Sequence, residues 1–166
     1  MPAITKPSDP QNTIINLGPS HPAMHGTVKM VVELDGEKIV NMDVFPGYLH
    51  RGFEKSCEDK NYLACIPYTD RLNYVSPLIN NFAYVETVEK LLGVEVTPRC
   101  KWLRTLLSEF SRIGDHFTCV GATAMEVGAL TAFLYMVRMR DVMWEHVAAI
   151  TGARLTVNYA RIGGMR

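Results

Sequence analysis

A chain of 166 residues with 48% apolar side chains is long enough for one domain with a sizeable core. Its 17 basic and 17 acidic residues cancel, which excludes a general electrostatic pull toward nucleic acid or anionic lipid. The four cysteines, Cys57, Cys65, Cys100 and Cys119, show no CxxC spacing and follow no signal-peptide pattern, so reduced thiols are expected rather than a disulfide framework.

Residues 1–12 carry three prolines and no periodicity, and read as a mobile tail ahead of one domain over 13–166. The segment Gly18-Pro-Ser-His21-Pro-Ala-Met24-His25-Gly26 is a loop, because Pro19 and Pro22 fix φ and remove backbone donors. Thr27–Leu34, Asp35-Gly36 and Glu37–Val44 predict a β-hairpin, since Asp-Gly between two β-branched runs is a strong turn signal. Gly47–Gly52 is a turn, and a short helix follows over Phe53 to Asp59.

The rest reads as helical. Tyr74 to Leu92 has apolar residues at helical spacing and stops at Gly93. Thr97-Pro98 is an N-cap followed by a first-turn proline. From there Leu103, Leu107, Phe110, Gly114, Phe117, Gly121, Ala124 and Gly128 form one stripe, which predicts a long helix over about 98–129 and close helix contact at the glycines. A further helix covers about 132–151. Leu155 to Ala160 is strand-like, with no obvious pairing partner nearby in sequence. The fold class is α+β: a small antiparallel sheet packed on a bundle of long helices.

Phe117 to Val137 contains a single charged side chain, Glu126. A transmembrane helix needs about 20 mainly apolar residues. Here threonines and glycines dilute the run, and a central carboxylate in lipid costs roughly 2.5–3.5 kcal/mol. The run is therefore expected in the middle of a helical bundle, with Glu126 buried.

Three constellations carry candidate chemistry. His21 and His25 either bond their own loop, pair on a metal, or face a ligand; no third ligand lies at zinc-site spacing. Tyr68-Thr-Asp70-Arg71-Leu-Asn-Tyr74 is either a helix N-terminus with an Asp70–Arg71 surface pair or a set of hydrogen-bond donors at a site. Glu126 is either a structural hydrogen-bond partner or part of a proton relay, and burial would raise its pKa unless a cation or several donors face it. Arg99, Lys101, Arg104, Arg138, Arg140 and Asp141 read as solvated or inter-subunit faces. Arg51, beside Gly52 and after His50, is placed to reach a buried carboxylate or a neighbouring subunit.

Several of these motifs, in order, resemble one family. Gly-Pro-x-His-Pro-x-x-His-Gly over 18–26, Gly47-Tyr-Leu-His-Arg-Gly-Phe-Glu-Lys55, Tyr68–Val75, Val88–Leu92, Gly128–Phe133 and Asn158-Tyr-Ala-Arg-Ile-Gly-Gly164 are similar to the hydrogenase-like D subunit of the proton-pumping NADH:quinone oxidoreductase, respiratory complex I. The complete subunit is more than twice as long, so the chain resembles its N-terminal portion.

The resemblance implies a fold like that of the large subunit of nickel–iron hydrogenases, with the former metal cavity turned into a quinone pocket. Cys57 and Cys65 do not have the CxxC spacing of the hydrogenase clamp, so no metal is expected in this chain. It implies His25 and Tyr74 as donors to the quinone headgroup, with His21 and Met24 beside them, and Glu126 as the acid that contacts His25. Arg51, Asp70 and Arg71 are candidate supports. The substrate would be ubiquinone or menaquinone; a 4Fe-4S cluster would sit in the neighbouring B subunit, with NADH and FMN elsewhere in the complex. Implied partners are the B subunit, the C subunit and the membrane-arm subunits, at the cytoplasmic face of a bacterial inner membrane or the mitochondrial matrix face, with no activity alone. The competing readings are a helical scaffold subunit of a related hydrogenase-like complex without its own catalytic site, and an autonomous metal enzyme using His21, His25 and Glu126.

Overall fold

The computed structural model describes residues 4–21 and 26–166. The chain forms two compact units, residues 1–52 and 53–166, each described here in its own frame. The architecture is α+β, with a small antiparallel sheet in the first unit and long helices in the second.

The sheet of the first unit has three strands rather than a lone hairpin. They are β1 (Thr13–Leu17), β2 (Lys29–Asp35) and β3 (Lys38–Phe45), in the order β1-β2-β3. β1 escaped the sequence reading because Thr13–Leu17 is short and mixed in polarity. It pairs in register with β2 from Thr13↔Leu34 to Leu17↔Met30. β2 and β3 join through a two-residue turn, and a register shift after Glu33 leaves Val40 unpaired as a bulge. β2 is covered on both faces, since the successive residues Val31, Val32 and Glu33 are all buried.

The segment expected as a tail supplies part of that cover. Ile4 N donates to Asp43 at 2.8 Å, and Ser8 and Asn12 both donate to the Glu33 carboxylate. These bonds, Asn12 first and then Ser8, hold the Glu33 carboxyl below the usual carboxylate range.

The second unit begins with two short helices, α1 (Phe53–Glu58) and α2 (Tyr62–Thr69). Three longer ones follow: α3 (Pro77–Leu92), α4 (Pro98–Glu126) and α5 (Leu130–Thr151). Asn61 caps α2 by accepting from Ala64 N at 2.8 Å, and Thr97 caps α4 by accepting from Cys100 N at 3.3 Å. α3 starts at Pro77 rather than Tyr74. A residue before proline avoids the α region, so Ser76-Pro77 marks the boundary that apolar spacing alone overran.

α5 folds back along α4 in the antiparallel sense. A side chain on Gly121 would meet Met136 Cβ at 3.0 Å and Phe133 Cδ2 at 3.3 Å, so the helices approach closely where the stripe has a glycine. Among the described residues no helix is long and apolar enough to cross a membrane; the apolar run is split where α4 ends at Glu126. The core is Ile66, Leu78, Phe82, Val85, Leu107, Val147, Val157 and Ala160. Of the strand-like run Leu155–Ala160 only Ala160 lies in a strand: β4 (Ala160–Arg161) pairs with β5 (Gly164–Met165), and residues 155–159 are irregular.

Arg104 overturns its sequence assignment. It is not on a solvated face but 3% exposed. Its guanidinium meets Glu89 of α3 in a two-point pair, Nη1–Oε2 2.7 Å and Nη2–Oε1 2.7 Å. Nη2 also donates to the carbonyls of Arg161 and Gly164, and Gly163 N donates to Glu89 Oε1 at 2.7 Å. The pair thus joins α3, α4 and the β4–β5 hairpin. The bonds from Arg104 hold the Glu89 carboxyl below its ordinary value against the opposing effect of burial. Its contribution to stability is therefore complete above the ordinary carboxylate range and is lost as pH falls through the folded-state value.

Removing one partner strands the other charge in the interior, which costs about 3–5 kcal/mol. Glu89→Leu is expected to lose that much in urea unfolding. Glu89→Leu with Arg104→Met removes both charges and is expected to lose less than the single substitution. A double variant equal to the sum of the two singles would show that the pair is not coupled.

Candidate functional site

The histidine motif occupies the connection between β1 and β2. Its two ends are tied by the Leu17↔Met30 pairing. They also touch: Gly18 has φ 82°, and a Cβ there would fall 2.0 Å from the Val28 carbonyl oxygen. Only a residue without a side chain lets the loop close at this point. His21 is half-buried on that loop. Met24 and His25 lie outside the described residues. Arg51, at the end of the same unit, is exposed, and Gly52 N donates to His50 Nδ1 at 3.3 Å beside it.

Tyr74 sits on the turn between α2 and α3, not inside a helix. That turn is braced by side chains. Asn73 Nδ2 donates to Ser76 Oγ at 2.6 Å and to Asp115 Oδ2 of α4 at 3.1 Å. Ser76 Oγ donates to the same Asp115 oxygen at 3.3 Å, and Asn80 Nδ2 donates to the Asn73 carbonyl at 3.1 Å. The Tyr74 ring stands 58% exposed on this fixed base. A phenol so placed is accessible to a ligand, and binding there costs little further backbone entropy, because the backbone beneath it is already ordered. Asp115, Asn73 and Ser76 were not singled out by sequence reasoning. The Asn-x-x-Ser spacing was visible, but its partner lies 39 positions away from Ser76 and is brought in only by packing.

Asp70 and Arg71 are not a surface pair at a helix N-terminus. Asp70 caps the C-terminal end of α2 and is 1% exposed, while Arg71 is exposed. Arg71 Nη1 bonds Asp70 Oδ1 at 2.7 Å and also donates to the Pro67 carbonyl. Burial pushes the Asp70 carboxyl above its ordinary value, and Arg71 opposes that rise without cancelling it. Next to it Asn81 is fully buried and donates to the Thr69 hydroxyl at 2.8 Å and the Ile66 carbonyl at 3.2 Å. The buried polar groups of this region therefore gather under the α2–α3 turn.

Glu126 departs from its expected burial. It is the last residue of α4 and is exposed. The apolar neighbours that suggested desolvation belong partly to the turn that follows, Val127–Ala129, whose residues are themselves exposed. At 1.5 Å rise per residue, Glu126 lies about 16 Å along α4 from Asp115, the residue that braces the Tyr74 turn. The second unit thus brings Asp70, Arg71 and Tyr74 to one turn and leaves Glu126 at the far end of its helix. Among the described residues no three metal-ligating side chains converge.

Comparison with known proteins gives this chain relatives. A family model described as the 49 kDa subunit of respiratory-chain NADH dehydrogenase matches residues 126–166. The chain is 58% identical to the D subunit of the NADH-quinone oxidoreductase of Pelobacter propionicus, over 96% of this chain and 40% of that protein. It is 55% identical to a D subunit of the NADH-quinone oxidoreductase of Sorangium cellulosum, over 96% of this chain and 39% of that protein. It is also 52% identical to the combined C/D subunit of the Bdellovibrio bacteriovorus enzyme, over 91% of this chain and 27% of that protein. The chain spans about two-fifths or less of the length of these relatives.

The raised Asp70 value fixes a sign. The folded state holds that proton more tightly than the unfolded chain, so the Asp70 contribution to stability falls as pH rises from the ordinary carboxylate range through the raised value. Glu33 and Glu89 act in the opposite direction and at lower pH. Asp70→Asn is expected to remove the decline, read as the urea midpoint at stepped pH. An unchanged pH profile in that variant would show that Asp70 is not the group responsible.

Proposed function

Since this chain belongs to the family of NADH-quinone oxidoreductase D subunits, we propose that it supplies one wall of a quinone-reducing site and works only within that complex. The observation that carries this reading is identity of more than half the residues across nearly the whole chain. Two features of the described residues support it. The histidine motif sits on a loop closed at both ends by strand pairing, and Tyr74 projects from a turn braced by Asn73, Ser76 and Asp115.

Reduction of a quinone places negative charge on its two oxygens, and each then takes a proton. In this reading an iron–sulfur cluster of the B-type subunit supplies the electrons. His25 and Tyr74 donate to the two oxygens, as donors already aimed at the developing charge. His21 and Met24 shape the loop beside the headgroup. Glu126 is the acid that contacts and orients His25. Arg51, Asp70 and Arg71 support the walls rather than touch the quinone. The two units would then be the N-terminal part of a hydrogenase-large-subunit-like fold.

The partners follow from the same reading: the B-type subunit across the site, the C-type subunit, which the C/D relatives carry in one chain, and the membrane-arm subunits that couple quinone reduction to proton translocation. The complex would hold this chain at the cytoplasmic face of a bacterial inner membrane. Whether the substrate is ubiquinone or menaquinone is a property of the membrane pool. NADH and FMN belong elsewhere in the complex.

Tyr74→Phe deletes one hydroxyl and little volume, so assembly is expected to persist while quinone-dependent turnover of the whole complex falls by roughly 10²-fold, the scale set by losing one transition-state donor. Unchanged turnover over several quinone concentrations would remove Tyr74 from the site and favour a scaffold role. His25→Ala is expected to make a further Glu126→Gln substitution nearly silent, because groups acting as a unit are not additive. Fully additive losses would make Glu126 structural.

A further inference from the structure

Cys57 and Cys65 are too far apart in sequence for the CxxC clamp, yet the structure places them together. Cys57 lies in the last turn of α1 and Cys65 in α2, joined by a tight turn in which Lys60 N donates to the Cys57 carbonyl at 3.2 Å. The Cys65 thiol donates to that same Cys57 carbonyl at 3.7 Å, so its sulfur rests against the backbone that carries the other thiol. Cys57 is half-buried and reachable from solvent, whereas Cys65 is 4% exposed.

We propose that Cys57 and Cys65 are a vicinal thiol pair that low-molecular-weight disulfides of the glutathione type oxidise to an intramolecular disulfide, stapling α1 to α2. Nothing in the proposed quinone chemistry uses either residue, so this site stands apart from that reading.

The division of labour follows from exposure. The Cys57 thiol gives up its proton and its sulfur attacks one sulfur of oxidised glutathione. That S–S bond breaks, one glutathione leaves as a thiolate and takes up a proton, and Cys57 is left in a mixed disulfide. The Cys65 thiol then loses its proton and attacks the Cys57 sulfur. The second glutathione leaves with the electron pair and is protonated. Two protein thiols have lost two electrons and two protons, and one disulfide has become two thiols. Cys65 is suited to the second step because its sulfur already lies at Cys57, and its burial keeps bulky oxidants from reaching it first.

The neighbouring groups agree with a pair that rests reduced. Burial, then the hydrogen bond with the Cys65 thiol, pushes the Cys57 thiol up, with Lys60 opposing. The Tyr84 hydroxyl, which donates to the Tyr62 carbonyl at 3.1 Å, is pushed up to about 12 by burial and by the same Cys65 thiol. The raised Cys57 thiol is a poor resting nucleophile, so the pair closes under sustained oxidising conditions and not in passing.

The test uses the full protein in its native assembly. It is incubated with excess oxidised glutathione, remaining thiols are blocked with N-ethylmaleimide, and the chain is digested with trypsin without reduction. Cleavage after Lys60 separates the two cysteines, so a disulfide appears as a linked pair of peptides. The expected result is Cys57 linked to Cys65, with exposed Cys119 carrying glutathione and buried Cys100 unlinked. Cys65→Ser is expected to stop at glutathione on Cys57. Cys57 carrying glutathione or maleimide in the unsubstituted protein, with Cys65 unlinked, overturns the proposal.

Discussion

The helical unit depends on one buried ion pair. Glu89 and Arg104 meet with two 2.7 Å bonds, and around them the Arg161 and Gly164 carbonyls and the Gly163 amide add three further partners, leaving only Arg104 Nε unmatched within the pair. Two charges taken from water are tolerable only when their remaining donors and acceptors are matched as well. That requirement ties the β4–β5 hairpin to helices far from it in sequence. It also joins α3 to α4 at one point with a defined geometry, because a planar guanidinium donates to both carboxylate oxygens at once. The apolar core, from Ile66 to Ala160, fills the space that this arrangement defines.

The described frame around the candidate donors is held by hydrogen bonds. The histidine loop starts and ends on paired strands and closes against itself at Gly18 and Val28. Tyr74 rests on a turn whose side chains are hydrogen-bonded to α4. Binding residues on loops held by a rigid frame are the common arrangement in proteins, since the loop can vary while its geometry stays fixed. The acids show how environment divides one chemistry. Glu33 and Glu89 accept several hydrogen bonds and titrate below the ordinary carboxylate range, whereas Asp70, buried with a single exposed arginine beside it, titrates above its ordinary value.

Much of this was legible in the residues. The Asp35-Gly36 turn, the Thr97-Pro98 cap and the Gly93 stop are local signals, set by φ restrictions and capping within a few residues. The family likeness was legible too, because its motifs are short and fall in order along the chain. Less was readable at the α2–α3 junction, where apolar spacing ran through Tyr74 and hid the boundary at Ser76-Pro77.

Sequence alone therefore determined the hairpin turn, the α4 cap and the α3 stop, which residues carry candidate chemistry, and the family they resemble. Only the tertiary structure decided that Arg104 is an interior residue, that Asp70 is buried while Glu126 is exposed, that residues 4–12 hydrogen-bond to the sheet, and that Cys57 meets Cys65. The physical reason is range. Caps, turns and periodicity are interactions between near neighbours, so they are written in consecutive letters. Burial of a charge is set by partners distant in the chain, as Glu89 is 15 and Gly164 60 positions from Arg104, and no local pattern records them.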